Sequence, residues 1–157
     1  MRKLLIMLIA LFSLQAVANV SPSNDAQSRY DTLLAYYFAA ARTDDQEVIE
    51  QFVSAGIPID SYNDKGYTAL MIATYHGNKK TVDSLLNLGA NACLEDKRGN
   101  TALMAAIFRG EFSIAKTLVS LDCDTEHTNK AGQTAEQFAQ TFGQQKVLEL
   151  LASVKQP

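Results

Sequence analysis

Four residues invite a chemical reading first: His76, His127, Cys93 and Cys123. An imidazole acts as a base or a metal ligand only when other groups converge on it. The two histidines stand 51 positions apart, and neither has a Cys, Asp or His at ligand spacing on a common helix face. The sequence has no Gly-x-Ser-x-Gly setting for a nucleophile and no glycine loop that would cradle a phosphate. These residue types therefore speak against an enzyme, and no cofactor or metal is expected. The chemistry that remains is recognition. Tyr75-His76 and Phe108-Arg109 each place an aromatic ring before a cationic or imidazole group, and aromatic residues and Arg dominate interface hot spots. Lys65, Lys97, Arg98, Arg109 and Lys130 would add a basic stripe beside them.

The elements that must carry these side chains repeat every 33 residues. Asn63-Asp64-Lys65-Gly66-Tyr67-Thr68-Ala69-Leu70-Met71 is answered by Asp96-Lys97-Arg98-Gly99-Asn100-Thr101-Ala102-Leu103-Met104. Each block leads into a short apolar helix, a glycine (Gly77, Gly110) and a second apolar helix through Leu85-Leu86 or Leu118-Val119. A period of this length marks stacked two-helix units, each too thin to bury its own apolar face. Gly66 and Gly99 fall where a tight turn needs positive φ. Thr68 and Thr101 are expected to cap the following helices, and Gly77 and Gly110 to end them. Ala73, Ala105 and Ala106 keep the first helices slim, while Val82, Leu85, Leu86, Ile114, Leu118 and Val119 line the second.

The block Gly66-Tyr67-Thr68-Ala69-Leu70, closed by Gly89-Ala90-Asn91, resembles the ankyrin-repeat family. Ala69, Ala102 and Ala135 stand where that family usually has Pro, and Met71, Met104 and Gln137 where it has His. A third copy, Gly132-Gln133-Thr134-Ala135-Glu136, is in register, with Gly143 and Leu150-Leu151 following. A first copy, Tyr30 to Tyr62, has Ile49, Phe52-Val53 and Gly56 in place but Asp44 where later units have glycine. The resemblance implies an all-α ankyrin-repeat solenoid of about four helix-turn-helix units with hairpin connectors, spanning 30–155. Its units are 30–62 (N-terminal cap), 63–95, 96–128 and 129–155 (C-terminal cap). In the first unit Leu33, Leu34, Tyr37, Phe38 and Ala41 form one helix face, with Tyr36 and Tyr37 covering the cap. In the last, Val147, Leu148, Leu150, Leu151 and Val154 are expected to face inward. The resemblance also implies a partner-binding strip: Lys65, Tyr67, Tyr75 and His76, then Lys97, Arg98, Asn100, Phe108 and Arg109, then Gln133 and Phe142. Asp64 and Lys130 fall at the same variable places.

Residues 1–18 read as a signal peptide. Arg2 and Lys3 precede the apolar run from Leu4 to Leu14, and Ala16-Val17-Ala18 offers small residues for cleavage after Ala18. The run is shorter than the roughly 20 residues that span a bilayer, so no stable membrane insertion is expected after cleavage. Residues 19–29 read as a disordered lead-in. Losing Arg2 and Lys3 takes the net charge from −3 to −5, which argues against a nucleic-acid ligand. In an oxidising compartment Cys93 and Cys123 could bridge. Layers roughly 10 Å apart leave a bridge feasible only if the connector leans back; otherwise the two are half-buried small residues. The expectation is a periplasmic, monomeric, non-catalytic module binding a protein partner, with an acidic, aromatic-accepting patch as the natural match. It would be an accessory factor or scaffold for an exported enzyme or, alternatively, an inhibitor or immunity protein against a periplasmic toxin.

Overall fold

The computed structural model describes residues 24–154 apart from Asp122 and Thr125. The leader, its cleavage point and residues 19–23 lie outside the described residues. Eight helices make up the secondary structure found among them: α1 (Asn24–Thr43), α2 (Gln46–Ser54), α3 (Ala69–Tyr75), α4 (Lys79–Asn87), α5 (Ala102–Arg109), α6 (Phe112–Val119), α7 (Ala135–Thr141) and α8 (Gln145–Val154). An isolated bridge, Glu95 to Thr101, closes the base of one hairpin. The front of α1, up to Leu33, forms a unit of its own, and the chain from Leu34 onward forms the layered unit.

One correction concerns the lead-in. Residues 24–29 are helical, not irregular. Asp25 sits in the first turn, where a carboxylate complements the helix dipole. Gln27 donates from its side chain to Asp31, one helical turn on, at 2.8 Å, a pair that supports the helix locally. Leu33 is exposed as well, although its spacing placed it on the packed face.

In the layered unit the first helices pack in the order α3, α5, α7 and the second helices in the order α2, α4, α6, α8. The stacking shows in columns of residues one period apart. Ala40, Ala73, Ala106 and Ala139 are all buried, and their small side chains let the first helices approach closely. Leu85, Leu118 and Leu151 form the matching column on the second helices, with Phe52 partly buried at its head. Val147 and Leu151 face the stack as expected, but Val154 is 47% exposed because α8 runs past the edge of the layer beneath it.

The hairpins repeat atom for atom. Asn63, Asp96 and Asn129 each accept two backbone N–H groups on one side-chain oxygen, from residues two and four further on, at 2.8–3.0 Å. Each turn closes through glycine at positive φ: Gly66 at 81°, Gly99 at 77° and Gly132 at 76°. Thr68, Thr101 and Thr134 then cap α3, α5 and α7. Thr134 does so in a reciprocal capping box with Gln137.

At the position of Gly77 and Gly110 the first layer has Asp44, the one non-glycine residue with positive φ among the described residues, at 60°. Its carboxylate accepts from the Thr81 N–H at 3.0 Å and the Thr81 hydroxyl at 2.9 Å. Asp and Asn tolerate this backbone region better than other side chains, and here the cost is offset by hydrogen bonds into the next layer. Asn78 answers by donating to the Ala41 and Arg42 carbonyls at the end of α1, both at 2.9 Å. Of the two tyrosines expected to cover the cap, Tyr37 is fully buried and its hydroxyl donates to the Ile59 carbonyl at 2.9 Å, whereas Tyr36 is 63% exposed and points away from the packing. Burial, with the Asp60 carboxylate adding to it, pushes the Tyr37 phenol above its ordinary pKa.

Candidate partner-binding groove

The helix ends and hairpins of successive layers enclose a groove of about 610 Å³. Eight of the residues expected in the strip line it: Lys65, Tyr67, Tyr75, His76, Arg98, Asn100, Phe108 and Phe142. Its centre is a ladder of rings. Tyr75 stacks on Phe108 with centroids 6.2 Å apart, Phe108 meets Phe142 edge-on at 5.0 Å, and Phe142 meets Phe138 at 4.8 Å. The His76 ring packs edge-on against Tyr75 at 5.5 Å. The rings meet because Tyr75 and Phe108 hold the same place at the end of α3 and α5. In the last layer that place is Thr141, and the ring comes instead from Phe142, one residue later.

The other three expected residues are held beside the groove rather than in its lining. Lys97 folds its side chain over Gly66 and donates to the Asp64 carbonyl at 2.6 Å. Arg109 donates from Nε to the Tyr75 carbonyl at 3.0 Å, and its guanidinium lies 5.0 Å from the centroid of the Tyr75 ring. It thereby braces the ladder from outside. The Gln133 backbone accepts from the Asn129 N–H and donates its own N–H to the Asn129 side-chain oxygen, both at 3.0 Å, in the last hairpin. Lys130, at the tip of that hairpin, uses its backbone N–H to reach the Arg98 carbonyl at 2.9 Å.

Several lining residues were missed. Arg42 closes the groove at the first layer and Phe138 at the last. Both belong to the terminal units, where the repeat diverges. Met71 and Met104 also line it, although both are almost fully buried. Their shared place in the period, three residues after the capping threonine, was a usable signal.

The polar groups of the hairpins are largely occupied by the fold. Asp96 accepts from the Arg98 and Asn100 N–H groups and from the Asn100 side chain. Asn100 in turn accepts from the Asn129 side chain at 2.9 Å, which links the two hairpins. His127 lies below the same hairpin, with Nε2 2.8 Å from the Gly99 carbonyl and Nδ1 3.5 Å from a Glu95 oxygen. It is thus 23% exposed in its side chain and serves the connector, remote from His76 in both sequence and role.

Cys93 and Cys123 are joined in a disulfide with Cα atoms 5.5 Å apart. Of the two alternatives left by the sequence, the connector does lean back far enough to meet the distance a bridge requires. The bridge ties the connector after the second layer to the end of the third. No helix among the described residues is long and apolar enough to cross a membrane.

Comparison with known proteins agrees with this construction. A family description reading "Ankyrin repeats (3 copies)" matches residues 19–96, 37–129 and 90–156. The "Ankyrin repeat, SAM and basic leucine zipper domain-containing protein 1" of Echinops telfairi is 43% identical over 56 residues, which is 36% of this chain. The match spans 12% of that relative's length. With the repeat hairpins, the caps and the family match coinciding along the sequence, the chain belongs to the ankyrin-repeat family.

Proposed function

We propose that this protein is a non-catalytic binding module that holds a protein partner in the groove and works in the periplasm as an accessory factor or scaffold for an exported enzyme. Ankyrin repeats are in general protein–protein interaction modules. The observation that carries the reading here is the ring ladder. Tyr75, Phe108 and Phe142 are 43%, 46% and 39% exposed, although each lies within ring contact of another. Half-exposed aromatic residues set side by side in a groove are what a buried interface hot spot draws on. Support for export comes from the basic start, apolar run and small residues of 1–18, together with a cysteine pair placed to form a bridge, which persists in oxidising compartments.

The test is capture of partners from a periplasmic extract by the wild type and by a Tyr75→Ala, Phe108→Ala double variant whose melting is monitored. Loss of one partner's recovery by a variant that still folds is the expected result. Equal recovery would remove the groove from consideration. A captured enzyme of envelope or stress defence supports the accessory role, whereas a captured toxin would replace it with inhibition.

A further inference from the structure

The charge around the ring ladder says what sort of segment fits the groove. Arg42, Lys65 and Arg98 line it from the first, second and third layers in turn. None of the three forms an ion pair among the described residues, so their charges are left for a ligand. The single carboxylate in the lining among the described residues, Asp96, is already engaged by three N–H groups of its own hairpin. A cationic groove on a chain of net charge −3 is a local reversal of sign.

The three cations stand one to a layer, and with layers roughly 10 Å apart a segment of about six residues, at roughly 3.3 Å each when extended, is long enough to pass all three.

We infer that the natural occupant is a short acidic segment of the partner protein, with carboxylates facing Arg42, Lys65 and Arg98 and one aromatic or aliphatic anchor on the rings of Tyr75 and Phe108. This rests on the groove being the binding site. A nucleic-acid strand could also stack on the rings. Three cations on a net acidic chain make it the poorer match, since a polyanion binds by neutralising many phosphates.

A random peptide library displayed on phage and panned on the full chain tests the inference without presupposing a partner. Enriched sequences should carry Asp or Glu around a single apolar anchor. Their binding should weaken about tenfold in an Arg42→Gln, Arg98→Gln variant, mostly through slower association, and should fall as salt rises. Truncation of the ladder by Phe108→Ala should abolish it. Enrichment of basic or uncharged sequences, no enrichment, binding indifferent to the arginine pair, or tighter binding of a single-stranded oligonucleotide would each overturn it. Should the periplasmic partner still need Tyr75 and Phe108 while the peptides fail in these ways, the groove stands as the binding site and only the acidic segment falls.

Discussion

The interior layers, 63–95 and 96–128, and the end layers solve the same packing problem with different freedom. An interior layer has neighbours on both sides, and its sequence keeps to the repeat: glycine at the turn, threonine at the cap, glycine at the end of the first helix. An end layer has one neighbour. The first replaces the helix-ending glycine with Asp44, and the last carries the polar helix α7 and leaves Val154 in solvent. The last layer nevertheless keeps its turn glycine, Gly132, and its capping threonine, Thr134, so contact on two faces governs the apolar pattern of the helices more than the turns, and the ends are where the groove residues Arg42 and Phe142 enter.

The largest contrast should appear in the second helices. Leu85 is fully buried in the interior column, so Leu85→Ala should cost about 2–5 kcal/mol in chemical denaturation. Val154→Ala at the open end should stay within about 0.5 kcal/mol. Similar losses at both sites would mean that the ends are packed as tightly as the middle.

The turns provide a finer contrast. Gly99 and Gly132 share positive φ, but a Cβ on Gly99 would lie 3.0 Å from the Lys130 nitrogen and 3.1 Å from the Asn129 Cα, whereas at Gly132 nothing lies within 4 Å. Gly132→Ala should cost about 1–2 kcal/mol from the backbone alone. Gly99→Ala should cost at least about 1 kcal/mol more, because backbone cannot step aside as a flexible side chain can. Equal melting shifts would show that the hairpins do not approach one another as described.

The smallest effect lies in the first layer. Tyr37→Phe removes one hydrogen bond to the Ile59 carbonyl, worth about 1 kcal/mol. Since the folded phenol holds its proton more tightly than the unfolded one, the wild type should lose stability as pH rises above about 10, and the variant should lose less. Parallel alkaline denaturation of the two proteins would contradict the burial assigned to Tyr37.

Most of this scaffold was legible in the sequence because the 33-residue repeat shows each local device more than once. The turn glycines, the threonine caps and the column of leucines each follow from a residue type whose mechanical role is the same in every copy. The start of α1 was not legible, since polar residues 24–29 carry no apolar period and their helix is supported by Asp25 in its first turn and the Gln27–Asp31 hydrogen bond. Lys97 and Arg109 hold repeat positions that the period makes plain, but a long side chain goes where the neighbouring layer offers a carbonyl or a ring, which spacing alone does not reveal. Arg42 and Phe138 escaped notice because they lie in units where the repeat itself fades. The disulfide depended on a lean of the connector that no period specifies.

The claim at the centre is that layers held in register build one groove and that the groove is where a partner sits. A photo-crosslinking amino acid placed at Phe108, inside the ladder, and separately at Phe112, exposed but outside the groove lining, addresses it directly. The account predicts a covalent adduct with the partner from position 108 and none from position 112. Adducts from 112 alone, or equally from both, would contradict it.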